Sequence, residues 1–170
     1  MIFNDKFLIL DIYVIKNKII QISIIKIFNN KNKFSILEKK NYFIKNDFNY
    51  NIYKNTKITN ILINTIGVSI DFCIDSIYKF SDNLDIYIYG NLYEFSKYLK
   101  EQIYVNWYKK FKDLRLLYNL LDIDTNLYSS GNIYKAFNLE MNEIKYNSLW
   151  NVYSLYKSLY YINKKLNYII

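Results

Sequence analysis

FLILDIYVIKNKIIQISIIKI, residues 7–27, is two apolar, β-branched runs separated by a polar triplet at 16–18. Apolar runs bounded by polar clusters read as buried strands, and so short a connection between them reads as a hairpin. Downstream, NNKNK (29–33) is a second polar turn and FSILEKKNYFI (34–44) a third strand. Residues 7–44 are therefore expected to form a three-stranded antiparallel meander. Asp11 is the anomaly, the only charge between Phe7 and Ile15. An acid in such a strand is either tied off by backbone hydrogen bonds or put to work.

Beyond the meander the period changes from that of strands to that of helices. KITNILINTIG (57–67) places Ile58, Ile61, Leu62 and Thr65 on one helical face, with Gly67 as its stop. DFCIDSIYKF (71–80) reads as a second helix with Ser69 as its N-cap. LDIYIYG (84–90) reads as a buried strand, and helices are expected over 93–103, 112–121, 132–140 and 147–163. Neither a repeat nor a linker interrupts this order, so residues 1–170 are expected to form one α/β domain.

Composition bounds the chemistry. The chain has 170 residues, of which 52% are hydrophobic and 22% charged, the balance of a folded chain. It has no Pro, one Ala, one Arg and three Gly, and is crowded with Ile, Asn, Lys, Tyr and Phe. The abundant residues have A/T-rich codons, so an AT-rich genome is the simplest source of the bias. The net charge of +8 and the 19% aromatic content would ordinarily point to nucleic acid. Here genome bias accounts for part of both. The absence of histidine is more decisive. It excludes a His general base, a His metal ligand and a Ser–His–Asp triad. Cys73 is alone, so an intrachain disulfide is excluded. Acid–base or metal chemistry must then come from ten Asp, five Glu, and the Lys and Tyr residues. No apolar run reaches the roughly 18 residues of a membrane span, and the N-terminus lacks a secretory layout. A cytoplasmic protein is expected.

The ordered elements resemble a ribonuclease H-like domain, and their local motifs resemble the DEDDh-type 3′–5′ exonucleases, the family of proofreading subunits and RNA-trimming exonucleases. LILDIY followed by IIQISIIKI is similar to the family's opening strand, apolar-apolar-Asp-x-Glu, and the strand after it. ITNILINTIGVSID (58–71), IYIYGN (86–91), FKDLRLLY (111–118) and GNIYKAFNLEMNEIKYNSLWNVYSLYKSL (131–159) resemble further family motifs in family order. Gly67, Gly90, Gly131 and Ala136 are every Gly and Ala in the chain, and each falls where the family has a small residue. The resemblance implies an α/β exonuclease fold: a three-stranded antiparallel meander plus further strands flanked by helices.

It also implies a site. In the family, carboxylates hold two divalent ions about 3.5–4 Å apart, one ion activating water and both stabilising the scissile phosphate. Asp11 matches the first carboxylate and would be a metal ligand. The other positions depart: the family's Glu falls at Tyr13, its second Asp at Tyr93 beside Glu94, its His at Tyr146 and its last Asp at Asn151. A neutral phenol gives magnesium no anionic oxygen. Only Glu94 is placed to substitute for a lost acid. The expectation is an exonuclease fold whose catalysis has degenerated, acting as a nucleic-acid-binding or complex-forming subunit. The alternative is a divergent exonuclease still using Mg or Mn. A purely structural protein is the third reading. The partners implied are the 3′ end of single-stranded DNA or RNA and a protein complex, with no membrane. Plainer readings stand beside each residue: Glu94 solvated on a helix, Asp113 and Arg115 at a helix N-terminus, the tyrosines filling an emptied pocket, and Cys73 packed in the core.

Overall fold

The computed structural model describes residues 3–30, 33–45, 58–90, 92–97, 99, 106–141 and 147–166, with Glu94 and Leu166 described by backbone alone. The meander is present: β1 (Lys6–Ile15), β2 (Lys18–Asn30) and β3 (Lys33–Phe43) pair antiparallel in sequence. The β1–β2 turn puts Lys16 and Asn17 at φ 48° and 61°, the left-handed pair that suits the twist of a two-residue hairpin. β4 (Ile86–Ile88) and β5 (Phe111–Asp113) then add parallel to β1, giving the order β3-β2-β1-β4-β5.

Helices cover both faces of this sheet, which is why β1 reads as a nearly unbroken apolar run. Leu8, Leu10 and Ile12 face α2 (Ile70–Ser81), packing with Cys73, Ile74, Ile77 and Phe80. Phe7 and Ile9 face the opposite way, onto Val152, Leu155, Leu159 and Ile162 of α5 (Ser148–Leu166). Asp11 belongs to this second face by alternation. Most of the described aromatic residues lie in the core clusters or pack against them. Phe3, Phe7, Phe34 and Tyr87 form one ring cluster, and Phe95, Trp107 and Phe111 another.

The remaining elements refine the expectations. α1 (Asn60–Ile66) is N-capped by Thr59 and stops at Gly67, but it docks through Ile63. Ile61, expected on the inner face, is 79% exposed. A helix of two turns shows too few residues for periodicity to fix its phase. Ser69 caps α2 as expected, its hydroxyl accepting from Phe72 N–H. α3 covers only Leu92–Ser96 of the helix expected at 93–103, and residues 98 and 100–105 lie outside the described residues. The helix expected over 112–121 is a strand and then a helix: β5 ends at Asp113 and α4 (Leu114–Leu120) begins there. Three residues are too few to show a strand period, and the helical pattern after them absorbed the segment. The helix expected at 132–140 is a 3₁₀ turn, Ile133–Phe137, ended by Asn138 in the left-handed conformation.

Candidate functional site

β1, β4 and β5 run in one direction, and their carboxyl ends form the rim where parallel sheets bind ligands. Asp11 lies here, 1% exposed. It stands one residue beyond the last β1–β4 pair and opposite Ser23 of β2. Its Oδ2 accepts a hydrogen bond of 2.9 Å from Asn151 Nδ2 on α5, and the Ser130 side chain bonds the carboxyl as well. Burial raises the Asp11 pKa to about 7, with both hydrogen bonds pulling the other way. Desolvation therefore wins, and the carboxyl holds its proton to higher pH than a free aspartate does.

The partners of Asp11 are positioned by a small polar network. Asn147 Oδ1 accepts from Trp150 N–H, the usual bond of a helix N-cap. Gln21 Oε1 accepts from Ser148 N–H at 3.0 Å, so a strand side chain satisfies one of the free donors of α5. Ser148 and Ser23 share a hydroxyl contact of 2.6 Å, and Asn41 Oδ1 accepts from both Ser23 and Gln21. On the other side, Trp150 Nε1 donates to Gly131 O. A Cβ at Gly131 would stand 2.5 Å from Asn151 Oδ1, so only glycine leaves room for that amide.

Of the residues singled out in the sequence, Asp11 and Asn151 come together. Tyr13 turns aside. Instead of facing Asp11 it packs with Ile15, Ile20, Ile58 and Ile63, the filling role of a large side chain. Tyr93 is 73% exposed on α3, with Lys97 Nζ 4.5 Å from its ring centroid. Tyr146 and the side chain of Glu94 lie outside the described residues. Gly90, at φ 67°, turns the chain after β4 in a conformation that favours glycine, and the Arg115 guanidinium lies 3.5 Å from where its Cβ would be. Arg115 pairs with Asp113, which also caps α4 by accepting from Arg115 N–H. Burial pushes the Asp113 carboxyl up, but the bonds and charge of Arg115 outweigh it and hold the group below its usual value. Gln21, Ser23 and Ser148 escaped sequence reasoning, and Ser130, expected with Gly131 only to open the helix at 132–140, instead bonds Asp11. Their spacing carries no pattern, because their partners lie up to 127 positions away.

These residues do not fit a pair of divalent ions. Among the described residues one carboxylate, Asp11, stands here where several are needed, and its Oδ2 is already taken by an amide. No group of three Asp, Glu or Cys side chains with metal-binding spacing occurs among the described residues.

Two solved structures share this architecture. One is a 3′-exonuclease described by its 3′-end-specific recognition of a histone mRNA stem-loop. It superposes with a TM-score of 0.75 at 10% identity, over 95% of this chain and 64% of that one. The fold is that of a 3′-exonuclease. A full-length 3′-exonuclease agrees, with a TM-score of 0.74 at 8% identity over 96% of this chain and 83% of that one. The chain thus spans just under two thirds of the first exonuclease. No protein-family model matches the chain, and no curated protein does. The exonuclease fold expected from the sequence motifs is present in the meander, the two added parallel strands and the long last helix. No helix among the described residues is long and apolar enough to cross a membrane.

Proposed function

We propose that this protein is a catalytically degenerate member of the DEDDh exonuclease type that binds the 3′ end of single-stranded nucleic acid, alone or as a subunit of a complex in the cytoplasm. The observation that carries the loss of catalysis is the Asn151–Asp11 hydrogen bond. Where two-metal chemistry needs a second anionic oxygen, this chain supplies an amide N–H pointed at the first. Neither Tyr13 nor Tyr93 restores the charge, since one is packed away and the other is a phenol in solvent.

Binding is supported by the rim around this site. Lys16, Lys18 and Lys45 lie at the end of the sheet to which β1 runs, with Arg115 and the Lys97–Tyr93 pair nearby in the chain order. The described acids at that end include Asp11, Asp71, Asp113, which is paired with Arg115, and Asp124, whose charge reaches Tyr89. These lysines offer phosphate contacts, and the exposed Tyr93 ring can stack on a base, worth roughly 1–3 kcal/mol. The aromatic content as a whole is weak evidence for binding, because most of the described rings lie in the core clusters or pack against them.

The test is a pair of assays on one 3′-labelled single strand, run as DNA and as RNA. Fluorescence anisotropy in EDTA is expected to show binding. Gel analysis after incubation with magnesium or manganese is expected to show an intact strand. Release of 3′ nucleotides that requires the metal and is lost in Asp11→Ala would establish the divergent active enzyme instead. Absence of binding to either strand would leave the structural reading.

A further inference from the structure

Three segments far apart in sequence converge on Asp11: β1 itself, the 129–132 loop and the first turn of α5. Ser130 bonds the carboxyl, Gly131 O accepts from Trp150, and the Asn151 amide reaches across with Oδ1 facing Gly131 and Nδ2 on Asp11. Asp11 and Asn151 stand 140 positions apart and bring together the first strand and the last helix of the fold. The atom nearest to where a Cβ at position 131 would stand is the Asn151 oxygen, at 2.5 Å. A methyl group there would displace the Asn151 oxygen, and an amide turned out to solvent would need no such room.

We propose that Asp11, Ser130, Gly131 and Asn151 form a metal-independent polar clamp that docks α5 on β1, with the Asn151 amide occupying the place a cation would otherwise take beside Asp11. This rests on the reading above that no metal pair assembles here. An amide N–H and a divalent cation meet the same demand, a positive partner for a buried carboxyl. The amide meets it permanently and needs no ion from solution. The clamp turns a ligand-dependent junction into a fixed part of the fold.

Melting curves in EDTA and in manganese, with hydrogen exchange of the α5 amides, test this on the full chain. The wild type is expected to melt at the same temperature in both conditions. Asn151→Ala is expected to melt several degrees lower, with faster exchange confined at first to the start of α5. Asn151→Asp opposes two carboxyls, so it is expected to melt lower in EDTA and to recover in manganese. Gly131→Ala is expected to destabilise by displacing the amide. In the Gly131→Ala, Asn151→Ala pair that clash is gone, so the double variant should lose clearly less than the sum of the two single losses.

Equal melting and exchange for Asn151→Ala and wild type would overturn the clamp while leaving the loss of catalysis intact. Strict additivity in the double variant would do the same. Failure of manganese to restore Asn151→Asp would overturn the claim that the amide sits in a cation's place. Stabilisation of the wild type by manganese would overturn both this inference and the reading on which it rests.

Discussion

Asp11 is buried in a place where its own ionisation is unfavourable, and this has a measurable consequence. Its folded-state pKa lies near 7, above the ordinary carboxyl value. The folded state therefore holds the proton more tightly than the unfolded chain does. The stability this confers is fully present below the unfolded pKa, near 4, and is lost as pH rises through 7. Asp11→Asn keeps the shape and an acceptor for Asn151 while removing the charge. The variant should match the wild type near pH 4 and exceed it at pH 8. The gap should be on the order of 1–3 kcal/mol, allowing for relaxation of the site around the charge. Urea unfolding at the two pH values measures it. A gap that stays constant with pH would show that Asp11 does not titrate between them.

At the scale of elements, two backbone features stand out because the chain has so few glycines. The β1–β2 turn places Lys16 and Asn17 in left-handed conformations, where asparagine is tolerated and lysine is strained. Replacing the pair, Lys16→Asn with Asn17→Gly, should stabilise the protein by roughly 0.5–1 kcal/mol. Thermal unfolding measures this, and a lower melting temperature would mean that the turn contacts of the native pair outweigh its strain. The second feature is Asp113, which caps α4, pairs with Arg115 and accepts a longer bond from Gly90 N–H. Asp113→Ala should cost about 1–2 kcal/mol, since the cap and the ion pair are lost together.

These elements also mark what could be read from the chain. The meander, the Ser69 cap and the Gly67 stop were legible, because each rests on neighbours within a few residues. Asp11 was legible as a single charge in an apolar strand. The docking face of α1 was not, since two turns hold too few positions to fix a phase and tertiary contact with Ile15 and Ile20 chose Ile63. β5 was hidden because its partner β4 lies more than twenty residues earlier and its own three residues show no alternation. Within the site, Asn151 could be placed by the spacing of its motif, whereas its bond to Asp11 and the Gln21–Ser148 cap exist only once the sheet and α5 meet. The burial that raises the Asp11 pKa likewise arises only where β1 meets α5 and the 129–132 loop, and cannot be read from β1 alone.

At the scale of the molecule, the question is whether the net charge of +8 is a by-product of composition or a working field. The two are separable because charge from composition is spread, while a binding field is local. Lys18 and Lys45 lie at the end of the sheet to which β1 runs, whereas Lys6 and Lys109 are exposed toward the opposite end. Lys18→Glu with Lys45→Glu and Lys6→Glu with Lys109→Glu change the net charge by the same amount. If single-stranded nucleic acid is held at the rim, the first pair should weaken binding at least about tenfold, and the second only through the small long-range field left after screening. The wild-type affinity should also fall steeply with salt. Neutralising about three phosphates of a single strand predicts a loss of roughly 20-fold between about 50 and 200 mM. The first pair should flatten that slope, because two of the contacts that release counterions are gone. Anisotropy titrations over a salt series give both quantities. Equal losses for the two pairs with unchanged slopes would identify the charge as a diffuse property of the composition, and would place nucleic-acid recognition somewhere other than the carboxyl ends of β1 and β4.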